Sequence, residues 1–257
     1  MSDIHPTAVV DPGAEIGDGV RIGPYCIVGD GVRIGSGSSL HSHVVIDGDT
    51  WLGANCVVYP FACLGTRTQD KKYTGGQPGV RIGERVTIRE YATVNAGTQE
   101  GSYTRVGSDC LLMAYSHVAH NCEVGDHAML VNAATLAGEV VVEPYATVGA
   151  LTGVHQFTRI GTMAFIGGCS RVVQDIPPYM IAVGNPIEVR GTNSVGLERR
   201  GVSPEARREL RQAYRLLYRG NLGTSAAIEK MRAKNLVSPE VQRLIQFFES
   251  SARGLAK

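Results

Sequence analysis

The chain has no CxxC pair, and its six cysteines (Cys26, Cys56, Cys63, Cys110, Cys122, Cys169) are scattered singly. None has the close spacing a zinc knuckle needs, so they are read as small residues packed in a reducing compartment. No apolar run approaches the roughly 20 residues of a membrane span, so no membrane insertion is expected. The N-terminus runs straight into His5-Pro6 without a charged-then-apolar leader, and a cytoplasmic location is expected. Aromatic residues make up only 6% of the chain while glycines number 32, a balance suited to a structure with many corners and unsuited to a helical bundle. The net charge is only +1, but it is unevenly spread. From Gly196 onward 13 Lys and Arg face 6 acidic residues, giving +7, so the remainder carries −6. That asymmetry points to a second domain with its own surface role.

What is abundant is an aliphatic residue at every sixth position. The ladder runs from Ile4 to Leu64, resumes from Ile82 to Val94, and runs again from Val106 to Val172, 26 aliphatic residues in one register. A short period of this kind marks a β-solenoid built on hexapeptides. Three hexapeptides would close a triangular coil of about 18 residues with the aliphatic side chains on the axis, coils stacking at roughly the 4.8 Å inter-strand spacing. The residue after the aliphatic one is often Gly, as at Gly53 and Gly107, which reads as a requirement of tight corners. Residues 66–80 and 97–105 interrupt the ladder. The first stretch is polar, charged and Gly-rich, and long loops of that kind inside a compact domain are usually functional.

Asp175-Ile-Pro-Pro-Tyr179 ends the ladder, because adjacent prolines remove two ladder donors. Residues 180–196 read as an irregular connector. Ser203-Pro204-Glu205 and Ser238-Pro239-Glu240 are helix starts, each a capping hydroxyl followed by Pro at the first helical position. A middle helix is expected around Thr224 to Lys234. The division is therefore a mainly β hexapeptide-repeat solenoid over 1–190, with a looped-out segment at 66–80, and a C-terminal α-helical domain over 191–257.

The densest polar cluster is Tyr115-Ser116-His117-Val118-Ala119-His120-Asn121-Cys122, with a third histidine at His155. An 18-residue coil stacks His120 with Gly138 and Gln156, stacks Asn121 with Glu139, and sets His155 at a similar height. Two chemistries fit three histidines at one level. His120 could act as a general base, or His117, His120 and His155 could bind zinc.

The order of motifs along the chain resembles one family. Gln69-Asp70-Lys71-Lys72-Tyr73, Arg89-Glu90, His120-Asn121-Cys122, Thr135-Leu136-Ala137-Gly138, Val154-His155-Gln156-Phe157, Gly167-Gly168-Cys169-Ser170 and Gly196-Leu197-Glu198-Arg199-Arg200-Gly201 are similar to those of the UDP-N-acetylglucosamine O-acyltransferases of lipid A synthesis. The resemblance implies a left-handed parallel β-helix and a homotrimer with sites between subunits. It implies transfer of a 3-hydroxyacyl chain from acyl carrier protein to a UDP-sugar. No separate cofactor is implied, since the acyl chain arrives on the carrier's phosphopantetheine. His120 matches the family's base and the Gly138 N–H its oxyanion donor. Gln69, Asp70, Lys72, His117, His155, Gln156, Asn193, Arg199 and Arg200 match substrate contacts, with Asp70 and Lys72 expected to reach a neighbouring subunit's substrate. Gly168 matches a position that sets acyl length, and a glycine there suggests a long chain.

The chain departs from that pattern at Asn121, where the family usually has Asp, at Glu139, where it usually has His, and at Val195, where it has an acid. Either the carboxylate that orients His120 has moved one coil, to Glu139, or Asn121 holds the ring through its amide. A 3-amino sugar acceptor stays open. Arg207, Arg208, Arg211, Arg215 and Arg219 recur on one expected helix, suited to docking an acidic carrier protein; no nucleic-acid-reading motif accompanies them. The competing reading with a shared solenoid is a γ-carbonic-anhydrase-like zinc hydratase.

Overall fold

The computed structural model describes residues 2–220 and 222–257. Most hexapeptides form a two-residue strand whose second residue is the ladder aliphatic, as in Leu111–Leu112, His117–Val118 and Glu123–Val124. Successive strand side chains point to opposite faces, so the first residue looks out and the second packs on the axis. The strands assemble into three parallel sheets of eleven, nine and eight members among the described residues, followed by helices. The fold is a β-helix.

Coil register is regular where the chain is uninterrupted. Leu112 pairs with Leu130, Leu130 with Val148 and Val148 with Ile166, each eighteen residues on. From Ile22 to Val172 every ladder residue is buried, and Leu112, Leu130 and Leu136 are fully so. Burying such a side chain stabilises by about 1.5–3 kcal/mol, and the ladder repeats that gain in every coil. At the N-terminal end Ile4 is 40% exposed and Val10 and Ile16 are only partly covered, because the first coil has no neighbour on its outer side.

The corner glycines serve close approach, not conformation. A Cβ on Gly53 would lie 2.4 Å from the Gly83 carbonyl oxygen of the next coil, closer than any real side chain sits. Its φ is not in the positive region. The left-handed turn falls two residues later, on Tyr115 (φ 62°), Asn121 (φ 59°) and Glu139 (φ 62°).

The two interruptions lengthen single coils. Val58 pairs with Ile88, thirty residues on, and Ile88 with Leu112, twenty-four on. The excesses over eighteen are twelve and six, both multiples of six, which is why the ladder keeps its register. The first interruption is shorter than expected: Cys63–Thr66 and Gly79–Ile82 are strands, leaving a loop over 67–78. It is tied to the second, since Gln77 N–H donates to Glu100 Oε2 at 2.7 Å and Gly97 N–H to the Gly79 carbonyl at 3.3 Å.

The segment expected to be an irregular connector is a hairpin. Met180–Val183 extends the first sheet in parallel beside Phe165–Ile166, and Glu188–Thr192 returns antiparallel to it. A short unexpected helix follows, α1 (Ser194–Arg199), then α2 (Pro204–Tyr218), α3 (Thr224–Ala233) and α4 (Pro239–Ser250). The Ser203 hydroxyl caps α2 by accepting from Ala206 N–H at 3.1 Å. Ser238 precedes α4 but makes no capping bond. Its own N–H is taken by Glu209 at 2.9 Å, which holds the serine to α2. Leu210, Met231, Val241 and Leu244 bury the inner faces of these helices in the common core.

Candidate active site

His120 sits at the corner between the second and third sheets, one residue before the left-handed Asn121. Its ring is held from both sides. Asn121 Oδ1 lies 3.0 Å from Nδ1, and Asp70 Oδ2 lies 3.7 Å from Nε2. Behind the ring, a Cβ on Gly138 would come within 2.2 Å of His120 Cε1 and 2.3 Å of Nε2, so the imidazole occupies space that only a glycine leaves open. Gly138 is buried, and its N–H meets no acceptor among the described residues. The Asn121 oxygen also accepts from the Thr98 hydroxyl at 2.9 Å. An amide oxygen accepting at Nδ1 calls for a proton there and leaves the lone pair on Nε2.

A cavity of about 430 Å³ lies in front of His120, lined by Gln69, Asp70, Lys71, Lys72, Asn95, His117, Ala119, His120 and Gln156. His117 faces it with Nδ1 2.7 Å from Thr93 Oγ1, and burial lowers its pKa below the ordinary imidazole value. Loop 67–78 is shaped by its own side chains: Asp70 Oδ1 accepts Lys72 N–H at 2.9 Å, and Arg67 lies over the Tyr73 ring at 4.8 Å. The loop folds back over its own coil, and Asp70 and Lys72 both border the chain's own His120.

The other sequence-expected residues divide. Gln156 lines the cavity two coils along from His120. His155 is exposed, outside the cavity lining, with Nδ1 3.2 Å from the Gln156 carbonyl oxygen. Glu139 is exposed; its backbone N–H donates to the His120 carbonyl at 3.0 Å, but its carboxylate makes no hydrogen bond to the ring, whose Nδ1 faces Asn121. Asn193 has a structural post, capping α1 through Gly196 N–H at 3.1 Å and donating to the Met163 carbonyl at 2.9 Å. Arg199 is exposed on α1, and Arg200 lies 4.5 Å over the Tyr145 ring. A Cβ on Gly168 would meet only the Ala150 backbone, its oxygen at 3.1 Å. The zinc reading loses a histidine, and no group of three His, Cys, Asp or Glu side chains among the described residues could hold a metal ion.

Thr93, Asn95 and Thr98 were missed. They lie below His117 and Asn121 across the second interruption, where the coil is twenty-four residues long: Thr93 pairs with His117. An eighteen-residue ruler passes them by.

The fold has close counterparts. A family described as "Udp N-acetylglucosamine O-acyltransferase; Domain 2" matches residues 175–256, and one described as "Bacterial transferase hexapeptide (six repeats)" matches 13–48 and 103–138. An acyl-[acyl-carrier-protein]–UDP-N-acetylglucosamine O-acyltransferase of Verminephrobacter eiseniae is 46% identical over the full length of both chains. The chain belongs to the UDP-N-acetylglucosamine O-acyltransferase family. Solved members superpose closely. The structure of LpxA from Acinetobacter baumannii has a TM-score of 0.95 at 42% identity, covering 99% of both chains. The acyltransferase from Moraxella catarrhalis has 0.94 at 40%, again over 99% of each. The third-sheet face carries a larger groove of about 900 Å³ beside Trp51, Tyr103 and Arg105, and its lining holds no histidine.

Proposed function

We propose that the chain transfers a 3-hydroxyacyl group from acyl carrier protein to the 3-hydroxyl of UDP-N-acetylglucosamine, with His120 as general base. The observation that carries this reading is the sandwich of His120 between Asn121 and Gly138. Nε2 accepts the proton of the sugar hydroxyl as its oxygen attacks the thioester carbonyl, and Nδ1–H stays on Asn121 Oδ1. The oxyanion that forms finds the unpaired Gly138 N–H. Collapse breaks the carbon–sulfur bond, and the imidazolium returns its proton to the departing phosphopantetheine thiol. Asp70, 3.7 Å from Nε2, stabilises the imidazolium between those steps. Lys71 and Lys72 at the cavity rim suit a diphosphate.

Arg199 ends α1 and Arg200 is its C-cap, both outside the cavity lining. Nucleotide binding by these arginines fits a homotrimer with clefts between copies. Arg208, Arg211, Arg215 and Arg219 are exposed along and just beyond α2, a surface suited to an acidic carrier protein. The reading is tested by supplying acyl carrier proteins of several chain lengths with UDP-N-acetylglucosamine or its 3-amino analogue and weighing the products. An O-acylated nucleotide sugar supports it; hydrolysis without transfer, or acylation of the amino sugar alone, overturns it.

A further inference from the structure

The second ladder interruption has no part in the reaction described above, and Thr98 at its tip touches no cavity wall. The interruption is nevertheless firmly placed. Ser102 Oγ accepts Gln99 N–H at 2.9 Å and donates to the Gln99 carbonyl at 2.7 Å. Ser102 O takes Gly79 N–H at 2.9 Å. So braced, the turn delivers the Thr98 hydroxyl to Asn121 Oδ1, the atom that faces His120 Nδ1. Asn121 is fixed from the other end, its N–H donating to Thr104 Oγ1 at 2.8 Å.

We propose that Thr98 is a positioning residue that holds the Asn121 amide oxygen on His120 Nδ1, and so keeps the lone pair of the base on Nε2. The inference rests on the reading of His120 as base. A carboxylate at 121 would need no such help, because both its oxygens accept. An asparagine has one accepting face and one donating face, and its NH2 turned toward Nδ1 would place the ring proton on Nε2, where the base is inert. Asp70 at Nε2 pulls the proton in that same wrong direction, since a carboxylate favours N–H opposite it. The Thr98 hydroxyl donates to Oδ1 and so favours the face that turns this oxygen to the ring. The imidazolium formed in the reaction requires that same face, because both its nitrogens are donors and only the amide oxygen can meet Nδ1–H. The other charged or titratable neighbours are Lys71, Lys72 and His117, which line the cavity, and Glu139, which is exposed one coil along.

The test compares Thr98→Val and Thr98→Ser in two backgrounds, the natural chain and Asn121→Asp. In the natural chain, the valine variant should lose about tenfold in kcat, the worth of one hydrogen bond in a buried network. KM for the nucleotide sugar should be little changed, and serine should restore the rate. In the Asn121→Asp background, the valine variant should lose less than about twofold, because an all-acceptor partner needs no orienting. Nitrogen NMR of labelled His120 gives a readout independent of turnover: Thr98→Val should shift population from the Nδ1–H to the Nε2–H tautomer. Equal losses in both backgrounds, a serine variant as slow as valine, or an unmoved tautomer would overturn the proposal. Failure of the base reading looks different: His120→Ala would then keep its activity, whatever the tautomer measurement gives.

Discussion

Adding one methyl group behind His120 separates the geometry of the site from the stability of the coil. In Gly138→Ala the new Cβ would start 2.2 Å from His120 Cε1, against ordinary contact beginning near 3.4 Å, so the ring must retreat by about 1 Å. A misplacement of about 1 Å costs on the order of 100-fold in rate, or about 2.7 kcal/mol of barrier. The backbone at 138 does not use the left-handed region, and replacing Gly by Ala at an unstrained position gains about 0.4–1 kcal/mol through the unfolded state. The fold should therefore survive. Gly153→Ala is the control, because a Cβ there meets nothing within 4 Å. Single-turnover acyl transfer and thermal unfolding, run side by side, should show Gly138→Ala slowed about 100-fold with a near-natural melting temperature, and Gly153→Ala unaffected on both counts. A folded Gly138→Ala enzyme within twofold of the natural rate would refute the placement of the ring against that glycine.

Other consequences follow from burial. Leu112→Ala empties a fully buried ladder position and should cost about 2–5 kcal/mol in denaturant unfolding; a loss below about 1 kcal/mol would mean the coil interior is not close-packed. Burial lowers the His117 pKa, so as pH falls the unfolded chain takes up that proton first, near the ordinary value of about 6.5. Stability is then full above that value and declines below it, and His117→Gln should flatten the slope of melting temperature between about pH 7 and 5. Burial also pushes the Cys110 and Cys122 thiols up to about 12, while Cys169 is exposed. Alkylation of the folded protein at mildly alkaline pH should label Cys169 and spare the other two, as peptide mass mapping would report.

The core was legible in the sequence because one physical demand, an aliphatic side chain on the axis at every corner-to-corner step, repeats from Ile22 to Val172 everywhere outside the two interruptions. The stacking of His120, Gly138 and Gln156 was legible for the same reason, since the coils between Val106 and Val172 are eighteen residues long. What escaped were contacts across the lengthened coils. Thr93 under His117 and Thr98 beside Asn121 lie below an insertion of six, and no periodicity says where inserted residues turn. Asp70 was recognised, but the direction its loop takes depends on the Glu100 and Gly97 bonds that fold it back. The hairpin at Met180–Val183 and Glu188–Thr192 lacks the six-residue signal altogether, because it closes the first sheet antiparallel. Glu139 misled because stacking fixes the backbone and not the side chain: its N–H meets the His120 carbonyl, while the residue stands exposed at a left-handed corner.

The central claim is that the imidazole of His120 takes the proton of the sugar hydroxyl. The most direct measurement is product formation by His120→Ala, supplied with acyl carrier protein loaded with the preferred 3-hydroxyacyl chain and saturating UDP-N-acetylglucosamine, with folding confirmed by circular dichroism. The expected result is a folded protein with turnover down at least 100-fold, the lower bound for losing a general base. A folded His120→Ala enzyme that still makes the acylated sugar within tenfold of the natural rate would contradict it.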